Sequence, residues 1–267
     1  LFILEYPKAG VRLSARRLFY LALLSGLGVL NRMDTILLFS PALLYLWIVQ
    51  DRTWRGLGIL LLGDLPFLLW ELFAVFYYGF PFPNTAYAKL NTGIPTIALL
   101  RQGVLYYRNS LLLDPVTLLT TASALGLIMF NREPGKIWLA AGMGLYLLYV
   151  LFIGGDFMSG RFFSPVVLMA AILFLQRLRD SGPLRTTIMV GYLAVAGILL
   201  AGSIAWRPFP ASGQPELASS AIDPMSKISD ERSFYFSTNG LVNIDFEGPI
   251  PDQLWAEIGR TYRTQGR

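Results

Sequence analysis

Long apolar stretches separated by short polar marks set the pattern of this chain. Apolar windows fall at about residues 13–30, 35–50, 56–78, 111–130, 137–153, 162–176 and 186–206. A helix that crosses a bilayer needs roughly 20 such residues, with about 17 to 25 common. The third, fourth, fifth and seventh windows reach that length, and the others gain reach where Arg16, Arg17, Arg52 and Arg177 extend toward headgroups. The pattern predicts an all-α polytopic membrane protein, a bundle of about seven transmembrane helices over residues 1–206. After Trp206 the apolar pattern gives way to Pro, Ser, Gly and Asp, so residues 207–267 read as the incomplete start of an extracytoplasmic α+β domain. Phe234, Phe236, Leu241, Val242 and Ile244 suit short strands there, and residues 252–262 suit an amphipathic helix that buries Trp255 and Ile258. The chain opens Leu-Phe-Ile-Leu and reads as a fragment of a longer protein.

Composition agrees with lipid as the solvent: 54% of residues are hydrophobic and 15% charged, far from the balance of soluble domains. The chain has no cysteine and no histidine, which excludes disulfides, thiolate metal sites, cysteine nucleophiles and histidine bases within it. Chemistry falls to Asp, Glu, Lys, Arg, Tyr, Asn or Ser. The net charge of +5 is explained by where the basic residues sit, so nucleic acid is not expected as a partner. Arg52 and Arg55, Arg132 and Lys136, and Arg177, Arg179 and Arg185 mark three short loops, and Lys8, Arg12, Arg16 and Arg17 precede the first window. The positive-inside rule puts these in the cytoplasm. The opposite side then holds residues 31–34, 79–110, 154–161 and everything after 206.

Most of the unusual clusters fall on that outward side. Residues 79–90 place Pro81, Pro83, Asn84, Tyr87 and Lys89 among aromatics directly after the third window; the rings suit a sugar face or a headgroup layer, and Asn84 and Lys89 suit hydroxyls or a phosphate. Its bland reading is an interfacial aromatic belt. Residues 154–161 set Asp156 and Arg161 among three glycines, where a ligand can approach the backbone and an arginine can grip a phosphate. The bland reading is a tight turn in which Asp156 and Arg161 pair only with each other. Arg32 and Asp34 sit in a turn short enough to hold both at the mouth of the bundle, although Asp34 also suits a helix cap. Asp64 and Glu71, seven apart on one predicted helix, and Asp114 are intramembrane acids, costly and therefore functional candidates.

Four segments carry a family likeness: Arg32-Met33-Asp34; Phe80 to Lys89; Gly154 to Phe162; and Asp230-Glu231-Arg232-Ser233-Phe234-Tyr235. In these the chain resembles the membrane glycosyltransferases of the GT-C class, on the branch of the mycobacterial terminal beta-(1→2)-arabinofuranosyltransferase family. The resemblance implies inverting transfer of a sugar, such as the pentofuranose arabinose, from a polyprenyl-phosphate donor to a cell-envelope polysaccharide or glycolipid. It implies a multi-pass protein of the cytoplasmic (inner) membrane, active on the extracytoplasmic face. The family's catalytic acid lies in an earlier outward loop, so the base is expected upstream of Leu1, with Asp34 and Asp156 as local candidates. Arg32, Asn84, Tyr87, Lys89, Asp156 and Arg161 are the substrate-binding candidates. Arg32, Lys89 and Arg161 would meet the leaving phosphate, a task a divalent cation could share; no protein metal site and no further cofactor is expected.

A transporter or flippase of lipid-linked substrates is the rival class, with Asp64, Glu71 and Asp114 as its charge pathway. It would concentrate key residues at mid-membrane and show repeated halves, whereas the clusters here favour one face. A scaffold for other envelope enzymes is a third class.

Overall fold

The computed structural model describes residues 1–7, 11, 13–50, 52–84, 86–87, 93–180, 182, 184–206, 225–231 and 254–264. The helices are α1 (Phe2–Glu5), α2 (Ala15–Asn31), α3 (Ile36–Gln50), α4 (Trp54–Gly63), α5 (Leu65–Tyr78), α6 (Thr96–Leu113), α7 (Pro115–Asn131), α8 (Pro134–Phe152), α9 (Ser164–Asp180), α10 (Leu184–Trp206) and α11 (Leu254–Thr264). Single 3-10 turns, Met33–Thr35 and Arg161–Phe163, lead into α3 and α9.

Among the described residues, three segments, Pro134–Phe152, Arg161–Arg179 and Arg185–Gly202, are long and apolar enough to cross a membrane, and α3 is apolar but short. Two bent pairs bring the number of spans to five if each pair crosses once, against the seven expected. The window at 56–78 is not one helix: it breaks at Asp64, and α4 and α5 meet at 68°. Asp64 and Glu71 therefore do not share the face of a continuous helix. The window at 111–130 breaks at Asp114 with a turn of 105°, and its first residues belong to α6. Both breaks have a local cause. Pro66 and Pro115 stand in the first turns of α5 and α7, where proline is tolerated but cannot continue a preceding helix. Much of what was expected to be a loop at 79–110 is thus the helix α6.

Close packing organises the bundle. Gly142 of α8 lies so near the Leu38 carbonyl of α3 that a Cβ would collide with it, and Gly63 meets Ala22 of α2 in the same way. Small residues let helices approach where lipid offers no hydrophobic drive to bring them together. Leu21, Leu38, Leu46, Leu139, Met143, Tyr146, Phe163 and Val166 fill the core. Outside it, Phe76, Phe130 and Ile198 are 88%, 86% and 72% exposed, more apolar surface than a water-facing helix carries comfortably and suited to a lipid-facing bundle. Of the C-terminal segment, the described residues are α11, which contains Trp255 and has Ile258 half-buried, and residues 225–231; the strand candidates lie outside the described residues.

Candidate functional site

The Gly154–Phe163 loop is the centre of one end of the bundle. Gly155 takes a left-handed backbone (φ +70°) and sits directly on the Tyr106 ring, so only glycine fits there. Tyr106, from α6, accepts from the Phe162 N–H at 3.1 Å and donates to the Met158 carbonyl at 3.2 Å, tying the middle of the loop and its far end to one hydroxyl. Ser159 donates to Asn109 at 2.7 Å, and Tyr107 donates to the Leu147 carbonyl of α8 at 2.8 Å. The helix α6 is thus pinned across the end of α8 and acts as the loop's platform.

Two arginine–carboxylate pairs meet at this loop. The Arg32 guanidinium donates to both Asp34 oxygens, through Nε at 3.0 Å and through Nη2. Tyr146 closes the arrangement, accepting from Arg32 at 2.9 Å and donating to Asp34 at 3.0 Å. Arg32 also lies over the Phe162 ring at 5.0 Å and reaches the Arg161 carbonyl at 3.5 Å. Burial works against the Arg32 charge, but the Asp34 hydrogen bond and the neighbouring phenol and carboxylate outweigh it and hold the guanidinium above its ordinary pKa. The Asp34 carboxylate is thus engaged by Arg32 and Tyr146. Arg161 contacts Asp156 at 3.4 Å; the acid's side chain is 3% exposed and the arginine's 59%.

A cavity of about 440 Å³ adjoins this end, bounded by Asn31 and Met33 on either side of Arg32, by Phe67, Trp70, Ala74 and Tyr78 of α5, and by Phe80 to Asn84. Asn84 therefore reaches the site's margin. Tyr87 packs edge-on against Phe80 and Phe82, with ring centres 5.6 and 6.0 Å apart, and Lys89 lies outside the described residues. Of the intramembrane acids, Asp64 lies against Gly26, and Asp114 accepts from Thr117 at 2.7 Å.

Sequence reasoning missed two parts of the site. Tyr146 sits in an apolar window and reads as core. Residues 225–231 return to the loop: the Ser229 N–H donates to the Phe157 carbonyl at 2.7 Å, Ser159 donates its N–H back at 2.9 Å, and Gln102 donates to the Ser226 carbonyl at 2.7 Å. Ile228 and Asp230 are buried by this return. The family likeness marked Asp230-Glu231 without placing the segment against this loop.

The described residues define a helix bundle of membrane type with a polar site gathered at one end, beside an aromatic-lined cavity. The chain is similar to the terminal beta-(1->2)-arabinofuranosyltransferase of Mycobacterium tuberculosis (strain ATCC 25618 / H37Rv), 28% identical over 257 residues. That match takes in 82% of this chain and 39% of the relative, so the chain spans well under half the length of the protein it matches. It supports a distant relationship to a glycosyltransferase. No protein-family model and no solved structure matches the chain.

Proposed function

We propose that this chain is the membrane-embedded part of an inverting glycosyltransferase of the GT-C kind, which moves a sugar from a polyprenyl-phosphate donor to a cell-envelope glycan. The observation that carries the reading is the convergence of Arg32 and Arg161 at one end of the bundle, beside the ring-lined cavity. A polyprenyl phosphate has the matching chemistry: a long apolar tail for the rings and a phosphate for the guanidinium groups. The basic loops at Arg52, Arg132 and Arg179 orient this end away from the cytoplasm.

In such a transfer the acceptor hydroxyl attacks the anomeric carbon, a base takes its proton, and the bond to the lipid phosphate breaks with negative charge growing on that phosphate. Arg161, half out of the protein yet steadied by a buried carboxylate, is placed to meet that charge; a planar fork can hold two phosphate oxygens at once. Arg32 is already engaged by Asp34 and Tyr146, so it lends field and shape more than free donors. Asp34 and Asp156 serve these arginines as positioning groups, and the base is to be sought beyond these two carboxylates. Asn84 and Tyr87, with Lys89, are the candidates for sugar hydroxyls and headgroup. Of the acids in the transport alternative, Asp64 and Asp114 engage partners on or beside their own breaks, whereas a Glu71 carboxylate oxygen is buried with no hydrogen-bond partner among the described residues, the one observation that favours that alternative.

The test is transfer by the full-length protein, in detergent, from synthetic polyprenyl-phospho-arabinofuranose to an arabinan oligosaccharide. Product with inverted anomeric configuration is expected. Folded protein that forms no glycoside from this or other polyprenyl-phospho-sugars, yet moves a labelled lipid-linked substrate across vesicles, would replace the reading with the flippase.

A further inference from the structure

The helices α2, α8 and α9 each connect two polar ends. Arg32 follows α2, Gly154 lies just beyond α8 and Arg161 precedes α9, while at the other end Arg17 opens α2, Lys136 opens α8 and Arg179 closes α9. At 1.5 Å of rise per residue the ends are separated by roughly 22 to 27 Å. The far end has its own cavity of about 280 Å³, with Leu139 and Leu173 as apolar wall and Arg17, Lys136, Arg179 and Tyr6 around it.

Two buried polar atoms on this cavity's lining residues have no hydrogen-bond partner among the described residues: the Tyr6 hydroxyl and Arg17 Nε. Tyr6 is only 9% exposed. Buried donors are nearly always paired, so two orphans on one cavity, beside three cations from three helices, mark a place for acceptor oxygens. Arg17 Nη2 donates to the Glu5 carbonyl at 3.0 Å, but the acids beside Arg17 and Lys136 satisfy neither orphan atom. Glu5 approaches Arg17 at 3.7 Å with both side chains about half exposed, and Glu133 pairs with Lys136 at 2.8 Å near the surface. Such pairs are weak and open to exchange. Burial also keeps the Tyr6 phenol above its ordinary pKa, so it remains a donor.

We propose that this cavity is a binding site for a phosphate group at the end of the bundle opposite the candidate catalytic site, with Tyr6, Arg17, Lys136 and Arg179 as its donors. The phosphate can arrive on an anionic lipid headgroup, whose first methylenes Leu139 and Leu173 would meet, or free in solution. The site stands on its own geometry and does not depend on the sugar-transfer reading.

The experiment is native mass spectrometry of the full-length protein, released from neutral detergent and titrated separately with phosphatidylglycerol, phosphatidylcholine and inorganic phosphate. Phosphatidylglycerol should be retained in preference to phosphatidylcholine. Tyr6→Phe, which keeps the ring volume, and Lys136→Gln should each weaken retention about ten-fold, the size of one charge-assisted hydrogen bond. Arg52→Gln, a basic residue at the same end but outside the cavity, should leave it unchanged. Retention of inorganic phosphate with the same sensitivity to these variants would identify the free ion as the source. Equal retention of the two lipids without phosphate retention, or phosphatidylglycerol retention indifferent to Tyr6→Phe and Lys136→Gln, would overturn the site.

Discussion

The two arginine–carboxylate pairs use the same residue types and are built oppositely. In the first, Arg32 and Asp34 have side chains 26% and 11% exposed, share two hydrogen bonds, and are locked by Tyr146 from α8. In the second, the acid is buried and the arginine stands out, joined by one contact of 3.4 Å. A closed pair fixes the turn between α2 and α3 against α8 and leaves little of its charge for a ligand. An open pair leaves most of the guanidinium for a visiting anion and uses the acid as an anchor. The first should therefore matter most to stability and the second to turnover.

Substitution can separate them. Arg161→Lys should reduce transfer by the full-length protein about 100-fold at limiting donor, since a point charge cannot reproduce the two-pronged grip and one such contact is worth about 2 to 4 kcal/mol. Its thermal unfolding should stay at the wild-type temperature. A wild-type rate would remove Arg161 from the site. Asp34→Asn should act in the other direction, costing about 2 to 3 kcal/mol of stability because a mostly buried guanidinium loses its counter-charge. Denaturation in detergent measures it, and an unchanged midpoint would show that the pair is not structural. Tyr146→Phe removes one bridging hydroxyl and should cost only about 1 kcal/mol. A loss as large as that of Asp34→Asn would mean that the phenol, not the ion pair, holds the turn.

Hydropathy made α2, α8, α9 and α10 legible to within a few residues, because each is an unbroken apolar run between charges. It hid the breaks at Asp64 and Asp114, since averaging over a window dilutes one acid among many leucines. The signal was nevertheless present: an acid followed within two residues by Pro66 or Pro115 is a helix stop joined to a helix start. At the site, Arg32, Asp34, Asp156 and Arg161 stood out as charges beside apolar runs. What joins them did not. Tyr146 reaches Asp34 only because α3 and α8 pack through Gly142, and no local pattern encodes a contact between residues so far apart in the chain.

The parallel bridge between Met158 and Ser229 has a consequence for the order of assembly. The Gly154–Phe163 loop can reach Tyr106 and Arg32 as soon as α9 is made, but its hydrogen bonds with Ser229 wait until α10 has been synthesised and the chain has turned back. Closing so long a loop is slow compared with local helix formation. A nascent chain halted after Trp206 would hold its helices and both arginine pairs, with the loop still lacking the segment that buries Ile228 and Asp230. The site is finished only after the spans that support it have been made.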